Sequence, residues 1–416
     1  MTAYTRWVLT RAKAAGIRRL YFLARDAWPM YLAAKAFCEA GLYDLDCRYL
    51  KVSRYALRLP AYHLAGDACV DQIFLGGIDV TLRKIVRRAG LSDEEGLAFF
   101  REAGLSLTED EVLSYPQIMK LKEQFRGSRA FQDLIRKRSE AALPAAIGYL
   151  RQEGLLDGEP FALVDSGWIG TIQQTLLQLL RTQDPSVSCK GFYFGLYELP
   201  PGVDKADYES FYFGPMNGTR RKIYFSNCLF ETVYSSPDGM TLSYKEEAGD
   251  GPVFRAVESP DKNPNAVTLT RRNGLLKAYA AAYIRCLGNE PQTEDESGPM
   301  CEALLNAFMG RPTRKEAAIY GAGLFCDDVL EGTLQEVAAK LSEEEIRQQR
   351  FISKAMLMTG LKKGVIHESA WIEGSIVNNG KNIRANLRHA ALYKRFVYLR
   401  KSWKTIKTNI SSSSGS

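Results

Sequence analysis

The sequence predicts an α/β protein on a parallel sheet, with a helical insertion and a mainly helical C-terminal region. Three observations carry this. Apolar runs alternate with stretches of helical periodicity over the first sixty residues. A later apolar run, FALV (161–164), ends in an acid and a glycine-bearing turn before another apolar-periodic stretch. Strand, helix, strand within about 40 residues is a βαβ unit, and such units imply a parallel sheet. With 416 residues, 46% of them hydrophobic and 25% charged, the chain has enough apolar material for a sizeable core.

Each element has its own signal. Ala3 to Ala15 reads as a helix with Trp7, Val8, Leu9 and Ala12 on one side. Ile17 to Asp26 reads as a strand ending in charge. The helix AWPMYLAAKAFCEAGL follows, with Pro29 tolerated in its first turn and Gly41 just past its end. Cys47 to Leu57 reads as the next strand. Residues 67–153, rich in Lys, Arg, Glu, Leu and Ala, read as a helical insertion between two strands. After FALV, SGWIGT turns the chain into a helix from about Thr171. CKGFYFGLYEL and YESFYFGPM are aromatic-rich strands joined by the loop PPGVDKAD.

TLSYKEEAGDGPVFRAV reads as a hairpin around Gly249 to Gly251, and ESPDKNPNA as a linker. From Val267 to Leu361 the chain reads as helical, broken by the polar loop GNEPQTEDESGPM. After Gly380 a basic helix leads into SSSSGS, expected to be disordered. The division is an α/β domain over 1–260, a helical region over 261–380 and a basic tail over 381–416.

Composition excludes several classes. No apolar run approaches the roughly 20 residues of a membrane-spanning helix, and the N-terminus has no secretory apolar core. Eight cysteines stand singly beside only three histidines, which argues against a zinc site and a disulfide scaffold and for a cytoplasmic protein. The net charge is +7, but Lys381 to Lys407 holds nine Lys/Arg and no acid; removing those nine leaves −2 for the rest. A nucleic-acid partner is therefore not expected for the body.

Two turns carry the chemistry. FALV delivers Asp165 to the C-terminal end of a buried strand, where ligands of open α/β sheets bind. Gly167 and Gly170 let backbone approach an anion, and Ser166, Trp168 and Thr171 sit at a helix N-terminus with unpaired N–H groups. The same residues equally suit a plain structural turn. YFLARDAWPM has a parallel construction, ending its strand in Arg25 and Asp26. Lys51 and Arg54 are further cations near a strand end. Asp26, Glu231 and Asp238 compete as a base or orienting carboxylate; Glu231 stands out because it lies in an apolar run. Asp238 also suits a turn, in SSPDG.

Strand, ARDAWPMYLAAKAF, strand, then LVDSGWIGT and a helix resembles a type I phosphoribosyltransferase. That resemblance puts Arg25 and Asp26 at a pyrophosphate turn and Asp165 on ribose hydroxyls and a metal. Ser166, Gly167, Gly170 and Thr171 would hold the 5-phosphate. Trp168 has two roles open to it, stacking on a sugar ring or packing against the sheet, and Arg54 and Lys51 are further candidate donor contacts. The family usually has a second acid where this chain has Ser166. IRRLYFLARDAWPMY, YLKVSRYALRLP, FALVDSGWIGTIQ and FETVYSSPDGMTLSY together resemble a module of bacterial polysaccharide-locus proteins, often fused to a haloacid-dehalogenase-type phosphatase domain.

The resemblance implies transfer of ribose 5-phosphate from phosphoribosyl pyrophosphate to a glycan acceptor, with Mg²⁺. A lipid-linked acceptor and a separate phosphatase chain fit the same picture. A rival reading is a nucleotide-sugar glycosyltransferase, for which Asp44-Leu45-Asp46 is the only D-x-D; another is a non-catalytic scaffold of a polysaccharide assembly complex. The basic, aromatic-bearing tail suits the anionic inner face of the cell membrane.

Overall fold

The central strands are apolar on both sides because helices cover both faces of the sheet. In a computed structural model of the chain, the described residues are 1–75, 80–102, 104, 108–249, 251–287, 294–326, 334–358 and 367–413. The first half runs α1 (Thr2–Ala14), β1 (Arg19–Leu23), α2 (Trp28–Glu39), β2 (Asp46–Leu50) and α3 (Arg54–Ala65). Then come α4 (Cys69–Ile73), α5 (Leu82–Arg88), α6 (Asp93–Glu102), α7 (Tyr115–Arg126) and α8 (Arg129–Gln152). The chain returns to the sheet with β3 (Phe161–Trp168), α9 (Thr171–Leu180), β4 (Lys190–Leu196) and β5 (Tyr208–Phe213).

All five strands are parallel, in the order β2-β1-β3-β4-β5. The chain leaves β1 for β2 on one side and returns to β3 on the other, so the order reverses at β1. A crevice opens at such a point, outside the C-terminal strand ends. The strand residues alternate between two cores. Leu20, Phe22, Val164 and Phe192 face α1 and α2 together with residues of the C-terminal region, including Met309 and Trp371. Tyr21, Leu23 and Leu163 face α3, α8 and α9. The expected α/β class with a parallel sheet is therefore observed.

The second half contains α10 (Thr219–Ile223), α11 (Asn227–Val233) and the hairpin β6 (Thr241–Glu247)–β7 (Val253–Glu258). It continues with α12 (Ala266–Leu287), α13 (Glu294–Leu305), α14 (Arg314–Gly321) and a two-stranded ladder of β8 (Leu324–Phe325) and β9 (Gln335–Glu336). Last come α15 (Glu343–Gln348), α16 (Phe351–Met358), α17 (Ile372–Asn379) and α18 (Ile383–Ser413).

Four local expectations change. The strand expected over Cys47–Leu57 stops at Leu50, because the Ser53 hydroxyl accepts the Ala56 N–H and caps α3. Arg54 is thus a first-turn helix residue. The helical insertion has its own core, including Phe74, Phe100, Phe125 and Phe131. Yet α8 leaves that core, and Ile147 and Leu150 belong to the layer against the sheet. The polar loop expected over 288–300 becomes helical from Glu294, while 288–293 lie outside the described residues. Finally, α18 continues through Ser411–Ser413 where disorder is expected; 414–416 lie outside the described residues.

Candidate functional site

The β1–α2 and β3–α9 turns open side by side, because β1 and β3 are adjacent and parallel. They form one wall of a cleft of about 220 Å³. Of the residues singled out in the sequence, Arg25, Asp26 and Arg54 line it, as do Asp165 to Trp168, Gly170, Thr171 and Glu231.

The glycines of the β3–α9 turn are required by the backbone. Gly167 has φ +113°, and a Cβ there would run into the Gly195 carbonyl oxygen of the neighbouring strand. Gly170 has φ +78° as the N-cap of α9, with Tyr208 Cε1 2.7 Å from a built Cβ. Between them Trp168 adopts φ +79°, a conformation rare for a bulky residue. Its ring packs on Tyr197, Phe213, Phe225 and Phe230, and its indole Nε1–H donates to Glu231 Oε1 at 2.5 Å. Of the two roles open to Trp168, sugar stacking or packing, the packing is observed. At the start of α9 the buried Gln173 donates to the Cys189 and Asp207 carbonyls and accepts from the Tyr193 hydroxyl.

Three carboxylates meet here. Asp165 is buried, and Asp26 and Glu231 are half-buried. Ser166 Oγ donates to Asp26 Oδ2 at 3.2 Å, tying the two turns together, and Ser235 Oγ reaches Asp26 Oδ1 at 3.4 Å. Ser235 is brought in because the Ser236 N–H donates to the Arg25 carbonyl at 3.0 Å. Burial pushes Asp165 up to about 7, and the neighbouring Asp26 charge adds to the rise, against the Ser166 and Gly167 N–H groups. Burial pushes Glu231 up to about 8, again with Asp26 adding and the Trp168 N–H opposing. Asp26 is also raised by burial, with the Arg25 and Arg54 charges pulling it down.

Lys51 and Asp238 are not brought to the cleft wall. Lys51 Nζ pairs with Glu258 at 2.7 Å, and its backbone is held by Tyr149 and Tyr244. Asp238 accepts from Ser236 Oγ at 2.6 Å within the SSPDG turn. His63 holds Ser139 of α8, a structural contact. Asp46 of the D-x-D stretch pairs with Arg19 and Arg48 at the N-terminal end of β2, the opposite end of the sheet from the cleft.

The far wall of the cleft has no signal in the sequence. Asn263 and Asn265 of the linker and Leu324 and Phe325 of β8 form part of it. Asn265 holds β8 in place, donating to the Leu324 carbonyl at 2.8 Å and accepting the Leu324 N–H at 2.9 Å.

Among the described residues no group of three His, Cys, Asp or Glu side chains is arranged to hold a metal ion. Asp165, with Asp26 beside it, nevertheless suits Mg²⁺, which commonly takes one or two protein carboxylates and completes its shell with substrate phosphates and water. Their mutual repulsion is what a divalent cation would offset. Asp165 would hold it, with Asp26 beside the ion rather than bound to it.

No protein-family model matches the chain, and no curated protein matches it at a significant level.

Proposed function

We propose that the cleft binds phosphoribosyl pyrophosphate with Mg²⁺ and transfers ribose 5-phosphate to a hydroxyl of a glycan acceptor, in bacterial surface polysaccharide biosynthesis. The observation that carries this is the convergence of two strand-end turns, one with Arg25 and Asp26 and one with Asp165 and a glycine-bearing turn at a helix N-terminus, on one cleft. A helix N-terminus with free N–H groups suits a phosphate. Ser166 stands where the resembling family has a second acid, and its hydroxyl donates to Asp26 of the neighbouring strand; Asp26 supplies that second acid from across the sheet.

In the transfer, the donor C1–O bond breaks and its electron pair leaves on pyrophosphate. The acceptor oxygen bonds to C1 and gives up its proton. Arg25 and Arg54 balance the charge on the leaving group. Asp26, oriented by Ser166 and Ser235, takes the acceptor proton. Glu231, held neutral near pH 7, donates a hydrogen bond to the sugar rather than acting as the base. The product keeps its 5-phosphate, so a separate phosphatase chain would complete the pathway.

Calorimetry tests this reading. Phosphoribosyl pyrophosphate with Mg²⁺ is expected to bind, and UDP- and GDP-sugars are not. Clear heat with a nucleotide sugar and none with the pentose donor would overturn it in favour of a nucleotide-sugar enzyme, and no heat with any donor would favour a scaffold. A Gly170→Val/Thr171→Val variant that still bound the donor would exclude the β3–α9 turn as the phosphate site.

A further inference from the structure

We propose that the outward face of α18, with the exposed side of α16, is an interfacial surface that docks this chain on an anionic lipid bilayer. The inner face of α18 is fixed against the body. Asn386 and Ala390 are buried, Lys394 pairs with Glu373 at 2.7 Å, and Tyr398 stacks on Tyr197 with ring centroids 5.7 Å apart. The helix therefore cannot rotate to hide its other side.

That other side exposes Leu392, Phe396 and Leu399, spaced four and three apart, each close to half accessible. Such spacing makes one stripe along a helix. On a wheel of 100° per residue, exposed Arg384, Arg388 and Arg395 lie along one edge of the stripe and Arg400 along the other. Phe396 also packs edge-on against Phe351 of α16, with ring centroids 5.5 Å apart, and Ile352 and Met356 of α16 are exposed, Ile352 by 67%.

The two features select the occupant together. A helix that was merely solvated would not hold three apolar side chains in a row at its surface. A nucleic acid would use the cations and leave the apolar stripe without a partner. A bilayer uses both: arginines at the headgroups and apolar side chains at the acyl boundary. The absence of any acid from Lys381 to Lys407 supplies the charge complementarity to anionic lipid.

The placement ties this surface to the cleft. Tyr197 follows the C-terminal end of β4 and packs on Trp168, a residue of the cleft lining. Hence α18 lies along the end of the sheet that carries the site. Under the function proposed above, this brings the site to a lipid-linked acceptor; the membrane contact itself does not rest on that reading.

Co-sedimentation of the full chain with phosphatidylcholine vesicles, with and without phosphatidylglycerol, tests the docking. Binding only to the anionic vesicles, weakened by salt, is expected. Each basic residue at an anionic surface is worth about a fivefold factor, so Arg388→Glu/Arg395→Glu should weaken binding by about 25-fold or more. Leu392→Ser/Leu399→Ser, which keeps every charge, should weaken it by roughly tenfold or more. Both pairs replace exposed side chains, and thermal melts check that each variant is folded. The proposal is overturned if the parent ignores anionic vesicles, if either folded variant binds as the parent does, or if the parent prefers RNA over vesicles. Self-association that occludes this face would overturn it as well.

Discussion

Replacing Glu231 with Gln should stabilise the protein at alkaline pH and leave it unchanged in acid. In the folded chain Glu231 holds its proton up to about pH 8, whereas the ordinary value is 4.5. Between those values the folded state binds one more proton than the unfolded state, so stability falls as pH rises through the window and levels off above it. At about 1.4 kcal/mol per tenfold change in proton affinity, the burden on the parent reaches a ceiling of about 5 kcal/mol. Gln does not titrate, and its carbonyl oxygen can still accept the Trp168 N–H. Thermal melts across the window should show a variant that matches the parent at the acid end and melts at least several degrees higher at the alkaline end. A melting difference that does not change with pH, or a variant less stable than the parent at the alkaline end, would refute a carboxyl buried in the field of Asp26.

Three further changes probe the same architecture. Gly167→Ala forces a side chain into a left-handed backbone and against the Gly195 carbonyl; a loss of about 2 kcal/mol or more in urea unfolding is expected, and an unmoved midpoint would contradict it. Trp168→Phe removes the indole N–H that Glu231 accepts while keeping a ring, which should cost about 1.5–3 kcal/mol and move the alkaline end of the Glu231 window further up, since that hydrogen bond favours the charged form. Lys51→Met should leave donor affinity within about twofold in calorimetry, because Lys51 pairs with Glu258 away from the cleft wall; a tenfold loss would return it to the site.

The sheet and its two turns were legible because parallel strands buried on both faces read as apolar runs, and glycine and charge mark their ends. Arg25, Asp26 and the 165–171 turn could be placed on strand ends for that reason. The Ser53 cap was not, since a polar residue between YLKV and RYAL also fits an alternating strand; the structure decides it through the Ala56 N–H. Residue type alone points Lys51 and Asp238 to the site, and only the folded contacts show that Glu258 and Ser236 engage them. The opposite wall at Asn263, Asn265 and Leu324 had no periodicity or motif to announce it. It exists because Asn265 pins β8 across a separation of 59 residues. Glu231 sat between these cases. An acid inside an apolar run signals a buried carboxyl, but its Trp168 donor comes from the turn 63 residues earlier.

The charge balance of the cleft leads to one further expectation. Three carboxylates face two nearby arginines, Arg25 and Arg54, so full ionisation would leave an excess negative charge in a buried place. Near neutral pH the raised Asp165 and Glu231 relieve this by keeping protons. An anionic donor arriving alone would raise them further, and the complex should take up protons from solution. A donor arriving with Mg²⁺ reverses the local field at Asp26 and Asp165, so protons should be released instead. Calorimetry in buffers of different ionisation enthalpy reads the sign directly: proton uptake without Mg²⁺ and release with it. Equal proton counts in the two titrations would mean that neither the phosphates nor the cation come close to these carboxylates. The donor would then have to bind elsewhere than between the β1 and β3 strand ends.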